Sequence, residues 1–178
     1  MDMSLVLVVG VIVFFIFSGI RFRKVKLLSK LVYEQGEEKI AEDQPLSIEE
    51  KSVGNGKKRT TRIGLPYLIL TNKRMIIVQK KETSPDGYIR NIFSFDPVSE
   101  PVLSAWWKHG YATIQVDKET VHAVASSESG AYTIVFRLMV QLPIGNMGGI
   151  EQTVEITTTQ FSVYEKAVGR KIQVQQEK

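Results

Sequence analysis

The 178-residue sequence contains no cysteine and only two histidines, His109 and His122. Without cysteine the chain can form no disulfide, no thiolate metal site and no thiol nucleophile. Neither histidine belongs to a spaced set of metal ligands, and no Walker loop, Rossmann fingerprint or G-x-S-x-G motif occurs. The sequence therefore predicts no catalytic residue, no metal site and no cofactor, and a protein that is not an enzyme.

A strong charge of one sign is also missing, because 23 basic residues face 19 acidic ones and the net charge is +4. This excess is too small to indicate nucleic-acid binding, and no aromatic platform for stacking bases is recognisable. Internal repeats and low-complexity segments are absent as well. The length suits one ordinary domain with an appendage.

The longest uncharged run covers residues 3–20, of which thirteen are Leu, Ile, Val or Phe. A helix of that length measures about 27 Å, close to the ~30 Å of a bilayer's hydrocarbon core. A cleaved signal peptide is the alternative, but Asp2 precedes the run and no A-x-A site follows it. We expect a single-pass anchor in the cell membrane, with the N-terminus outside and the C-terminal domain cytoplasmic.

Basic residues follow this run directly and are our first candidates for contact with the membrane interface: Arg21, Arg23, Lys24 and Lys26. They suit a basic amphipathic turn that lies on anionic headgroups, and they equally suit a simple stop-transfer flank. Acidic residues take over from Glu34. We therefore divide the chain into residues 1–35, the anchor with its juxtamembrane segment, and residues 36–178, a folded domain.

The centre of the predicted domain is a β-hairpin over residues 65–81. Two apolar runs, rich in Ile, Leu and Val, flank Thr71-Asn72-Lys73-Arg74, which has the composition of a tight turn. Because both runs are nearly continuous in apolar residues, we expect these strands to be buried on both faces or to lie in the middle of a sheet.

The remaining elements are predicted from apolar runs and turn residues. Strands are expected at residues 37–41, 111–116, 121–127, 131–142 and 152–158, and a short strand or edge at 88–95. Residues 51–62 and 84–87 are expected to form a loop and a turn, and 102–109 a short helix. Apolar residues at three- and four-residue spacing predict an amphipathic helix over residues 159–173.

Three stretches together carry a resemblance to a known superfold. Residues 36–40 read Gly-Glu-Glu-Lys-Ile, residues 70–74 read Leu-Thr-Asn-Lys-Arg, and residues 114–124 run from a strand through an acidic turn into a valine-rich strand. With the closing helix, this order resembles the pleckstrin-homology-like superfold, in particular its prokaryotic and GRAM-type members, over residues 36–173. An insertion at about residues 82–110 departs from the pattern.

The resemblance implies a mainly β fold, a barrel of about seven antiparallel strands in two sheets capped by a C-terminal α-helix. It also implies a non-enzymatic module that binds lipid or protein, often beside a membrane.

Six basic residues are candidates for binding lipid or phosphate: Lys57, Lys58, Arg59, Arg62, Lys73 and Arg74. The first four lie in the predicted loop between the first two strands, where cations converging from a flexible segment clamp a phosphate. Non-specific membrane association and a plain solvated loop remain open for them. Lys73 and Arg74 either join the same patch or only protect the hairpin turn.

Trp106, Trp107 and Lys108 are candidates for an interfacial anchor, because tryptophan favours the level of the lipid headgroups. Neighbouring residues on a helix point about 100° apart, so core packing of one tryptophan is the alternative.

The sequence thus favours a membrane-anchored, non-enzymatic module that binds a protein partner or anionic lipid headgroups. A self-assembling structural or scaffold membrane protein is the alternative, in which homo-oligomers form through exposed strand edges or the tryptophans.

Overall fold

The computed structural model describes residues 27–54, 57–64, 66–81, 84–99, 111–126, 130–139 and 151–176. The expected anchor at 3–20, the four basic residues after it and the predicted helix 102–109 with Trp106, Trp107 and Lys108 lie outside these ranges. In the part of the chain that is described, no helix is long and apolar enough to cross a membrane.

The described residues are mainly β, with one α-helix near the C-terminus. The strands are β1 (Lys39–Asp43), β2 (Ser47–Gly54), β3 (Lys57–Ile63), β4 (Pro66–Thr71), β5 (Arg74–Lys81), β6 (Ser84–Ser94), β7 (Ala112–Val116), β8 (His122–Ala125), β9 (Tyr132–Met139), β10 (Glu151–Thr158) and β11 (Gln173–Gln176). The helix is α1 (Phe161–Val168).

These strands form one sheet with the order β1-β4-β5-β6-β7-β9-β10-β2-β3, while β8 pairs with β9 and β11 pairs with β8. The sheet is not closed, since β1 and β3 end the path. Two pairs, β6 with β7 and β8 with β11, are parallel. The expectation of about seven antiparallel strands in two sheets is therefore corrected in strand number, strand direction and the number of sheets.

The β4–β5 hairpin is buried on both faces, as its two apolar runs predicted. Leu68, Leu70 and Ile77 point into the inner core of the curled sheet. Tyr67 and Ile69 belong to a second cluster on the opposite face, which we call the outer cluster. A hairpin that is covered on both sides explains why its sequence shows no polar alternation.

The helix α1 and the hydrogen-bonded side chain of Asp43 close the inner core. The carboxylate of Asp43, which is 3% exposed, accepts hydrogen bonds from Tyr164 Oη at 2.6 Å, Thr158 Oγ1 at 2.8 Å and Gln160 Nε2 at 3.0 Å. Burial and the neighbouring Asp43 carboxylate raise the pKa of Tyr164 well above its usual range, so the phenol stays protonated and remains a donor. These bonds join β1, β10 and α1.

Three local predictions were wrong. Residues 51–54 and 57–62, predicted as parts of a loop, form the end of β2 and most of β3, and residues 84–87 begin β6 instead of a turn. Gly87 suits a strand here because a Cβ at this position would lie 2.4 Å from Val78 Cγ1. The predicted helix 159–173 is shorter, since Gly169 adopts a left-handed conformation (φ 78°) and the chain continues into β11.

Residues 27–31 lie on the outer face of the sheet. Leu27 forms an antiparallel bridge with Tyr88, and Ser29 donates to the Asp86 carboxylate from its main-chain nitrogen (3.1 Å) and its hydroxyl (2.5 Å). Leu28 and Leu31 pack against the outer cluster. Residues 27–31 therefore contact the sheet, and the predicted division of the chain at residue 36 stays a prediction.

Leu28→Ala and Leu31→Ala should each lower the free energy of unfolding by about 1–2 kcal/mol, because each removes apolar contact from the outer cluster. Val32→Ala is the matched control, since Val32 is 75% exposed and its truncation should change stability by less than about 0.5 kcal/mol. Urea unfolding of the full chain in detergent measures the three variants. Equal effects for all three would show that this segment does not cover the sheet.

Candidate functional site

A polar cleft opens between the β2–β3 hairpin and β6. Its volume is ≈ 370 Å³, and its rim includes Glu50, Arg59, Thr61, Arg90 and Asn91. Phe93, Ile114 and Leu138 supply apolar surface below these groups. The cleft exists because the sheet curls: Asn91 Nδ2 on β6 donates to Glu50 Oε1 on β2 at 2.6 Å, although β7, β9 and β10 separate these two strands in the sheet.

A β-bulge in β6 aims Arg90 towards the cleft. Ile77 pairs with Asn91 and the next residue, Val78, pairs with Ile89, so Arg90 is an extra residue without a partner on β5. Its guanidinium lies 3.8 Å from Glu50 Oε2, and Asn91 contacts the other oxygen of the same carboxylate. Bulges commonly redirect side chains beside binding sites. Here the bulge directs two consecutive side chains to one carboxylate.

The ionisable groups of the cleft favour an anion. Lys51 also borders it, but its ammonium is engaged by Glu155 and Glu49. Arg59 has no ion-pair partner among the described residues, and Arg90 is only loosely paired with Glu50. Two guanidiniums therefore face one carboxylate in a site that is walled by apolar side chains on one side.

The four basic residues predicted as one cluster divide between the two faces of β3. Seven consecutive pairs with β2, from Lys57 with Gly54 to Ile63 with Ile48, preserve the strand alternation. Lys57 and Arg59 therefore share the inner face with buried Ile63, while Lys58 and Arg62 lie on the outer face. Arg62 is paired there with Glu49 at 3.3 Å. The structure brings only Arg59 of these four into the lining of the cleft.

Lys73 and Arg74 form hydrogen bonds with other residues of the fold. Lys73 Nζ donates to the main-chain carbonyl of Gln35 at 2.6 Å. Arg74 is 7% exposed, and its guanidinium donates to Glu37 at 2.7 Å and to the carbonyl of Val32 at 2.7 Å. Their partners belong to residues 32–37, so these two cations hold the segment before β1 and are not placed together with Arg59.

The adjacent Asn72 also forms hydrogen bonds to the segment before β1. Its side chain accepts from Glu38 N at 2.9 Å and donates to the carbonyl of Gly36 at 3.1 Å. Thr71 Oγ1 accepts from the main-chain nitrogens of Lys73 and Arg74 and fixes the turn. The Thr71-Asn72-Lys73-Arg74 sequence is thus accounted for by its bonds to residues 32–38.

The cleft shares strand β6 with the attachment point of residues 27–31, which lie on the opposite, outer face of the sheet. Leu27 bridges to Tyr88, and Arg90 follows two residues later on the same strand. Only the six residues 21–26 separate Leu27 from the expected span, which limits the connection to about 25 Å of extended chain.

Sequence reasoning missed Glu50, Arg90 and Asn91, the groups that meet across the cleft. No local pattern marks a bulge, and a contact between β2 and β6 depends on how the whole sheet curls. The β2–β3 hairpin did carry a signal, because Gly54 pairs with Lys57 and the intervening residues are Asn-Gly, the preferred two-residue hairpin connection.

Comparisons of this chain with protein-family models, with curated proteins and with solved structures find no match. Among the described residues, no group of three or more histidine, aspartate or glutamate side chains is arranged to hold a metal ion.

Glu37→Gln should destabilise the protein by about 2–4 kcal/mol at neutral pH, because it breaks a buried pair with Arg74. Burial alone raises the pKa of Glu37, but hydrogen bonds from Arg74, the Glu34 backbone and Thr71 outweigh it and bring the pKa below its ordinary value of 4.5. The charged form therefore contributes stability above about pH 4.5, and this contribution is lost as the pH falls through the folded-state pKa.

Urea unfolding of wild type and Glu37→Gln between pH 7 and pH 3 measures this. The difference between the two proteins should shrink below pH 4.5, since glutamine does not titrate. Glu38→Gln is the control, because Glu38 is exposed and neighbours the same segment. A difference that stays constant down to pH 3 would contradict the stabilising role of the Glu37 carboxylate.

Proposed function

We propose that this chain is a membrane-anchored, non-enzymatic interaction module with a pleckstrin-homology-like domain, and that the domain binds anionic lipid headgroups at the cytoplasmic face of the membrane. The observation that supports this best is the position of the cleft. Arg90 follows by two residues the point on β6 where Leu27 is bridged, so the cationic cleft and the segment that leads to the proposed anchor share one strand.

The chemistry of the cleft suits a phosphate group. A guanidinium presents paired N–H donors that match two phosphate oxygens. Arg59 is exposed and lacks an ion-pair partner among the described residues, while Arg90 is held near the rim by its bulge. Glu50 and Asn91 add an acceptor and an amide for the hydroxyl or amine groups of a headgroup. Two arginines supply affinity, and the other polar groups supply selectivity.

The fold that accompanies this cleft is compatible with the proposed domain type. A curled, mainly antiparallel sheet surrounds one apolar core, and α1 closes it through Tyr164 and Asp43. Strands β2, β3, β6 and β11 are additional to the seven strands that the superfold implies. The proposal therefore concerns a member with an enlarged sheet.

Lipid adducts counted by native mass spectrometry test the proposal on the full chain in maltoside micelles. We expect dioctanoyl phosphatidylglycerol to bind more tightly than dioctanoyl phosphatidylcholine. Arg59→Gln and Arg90→Gln should each weaken the anionic adduct about tenfold, which corresponds to about 1.4 kcal/mol. Inorganic phosphate should compete if a free phosphate is the ligand, and should have little effect if the whole headgroup is read.

Lys58→Gln is the matched control. It makes the same change of charge on the same strand, one residue from Arg59 but on the opposite face, and should weaken binding less than twofold. Equal losses in Lys58→Gln and Arg59→Gln would reduce the effect to non-specific attraction. Full binding by Arg90→Gln would exclude the cleft as the headgroup site.

A further inference from the structure

Strand β3 ends the path of the sheet and, among the described residues, has a regular edge without a neighbouring strand. It pairs with β2 over seven consecutive residues without a register shift, and the strand order gives it no second neighbour within the described part of the chain. In an antiparallel pair every second residue directs its N–H and C=O groups away from its partner. Lys57, Lys58, Arg59 and Thr60 on this strand are exposed.

The other terminal strands, β1 and β11, have features that hinder pairing with a further strand, whereas β3 has none of these features. β1 has a register shift between Lys39 and Ala41, and β11 has only four residues. Bulges and short lengths are common devices that protect an edge against further pairing. β3 has neither, and it is long enough to accept another strand.

The charges of β3 select what could pair with it. The strand carries Lys57, Lys58, Arg59 and Arg62 and no acidic residue, and these cations project from both faces. Pairing with β3 of a second copy would place cations opposite cations, which opposes self-association through this edge. An extended acidic segment would instead meet opposite charges on both faces.

Lysines on an edge strand also serve simply to prevent aggregation. That purpose accounts for some positive charge, but the absence of a bulge along seven residues leaves the backbone ready for pairing. We propose that the free edge of β3 is a docking site for an extended acidic peptide segment of a partner protein, which adds to the sheet as a further strand.

A fluorescein-labelled nine-residue peptide of glutamate, valine and threonine tests this with the full chain in maltoside micelles. Fluorescence anisotropy gives the dissociation constant, and hydrogen exchange reports the amides of residues 57–63, half of which should become protected. Two further peptides carry N-methyl groups on the odd or on the even backbone nitrogens. Because strand addition uses alternate N–H groups, one methylated peptide should lose binding at least tenfold and the other should keep it.

The protein variants separate this edge from the cleft. Lys58→Glu should weaken peptide binding about tenfold, whereas Lys166→Glu, on exposed α1 surface, should change it less than twofold. Arg90→Gln, which tests the headgroup site, should leave peptide binding unchanged, so failure of one site does not decide the other. Equal binding of all three peptides, or no change in exchange at residues 57–63, would overturn the proposal. A different result is that phosphatidylglycerol nanodiscs displace the peptide and that both methylated peptides bind equally. That result would show that the cations of β3 bind the anionic membrane surface and that no strand is added.

Discussion

The need to neutralise one buried guanidinium governs much of this structure. Arg74 begins β5 in the interior, where an unpaired charge is strongly unfavourable, and it is satisfied by Glu37 and the Val32 carbonyl. Those bonds bring residues 32–37 onto the hairpin turn. The preceding residues are thereby directed over the outer face of β4–β6, where Leu28 and Leu31 cover the outer cluster. Leu28 and Leu31 thus cover part of the outer apolar surface that the hairpin presents.

Polar side chains of the same sheet lie where the inner apolar core ends. Along β2, Ile48 reaches the inner core, while Glu50 and Ser52, further along the same face, line the cleft. A buried carboxylate without partners would be destabilising, and Glu50 remains about one quarter exposed and accepts a hydrogen bond from Asn91. The cleft is therefore a transition between core and solvent in which polar groups are held in place without being fully desolvated.

The sequence predicted the features that depend on local pattern and could not predict those that depend on the curl of the sheet. The β4–β5 hairpin has two continuous apolar runs around a turn, the closing helix has apolar residues at three- and four-residue spacing, and both elements are present. Most of β3 was predicted as a loop because an exposed edge strand needs no apolar alternation. Its many charged side chains are also more typical of loops than of strands. Lys73 and Arg74 were predicted as candidates for binding lipid or phosphate because nothing in their local sequence indicates hydrogen-bond partners almost forty residues earlier. The bulge at Arg90 follows from the register of two strands, which no single segment encodes.

Strand alternation gives β3 two separate chemical surfaces. Arg59 belongs to the cleft that β3 shares with β6, and Lys58, one residue earlier, belongs to the outer face and the free edge. β2 links these surfaces, since it pairs with all of β3 and also carries Glu50, the carboxylate in contact with Asn91. A ligand bound to Arg59 in the cleft would contact the strand whose backbone forms the edge. A ligand in the cleft and a strand added at that edge would therefore both contact the β2–β3 hairpin.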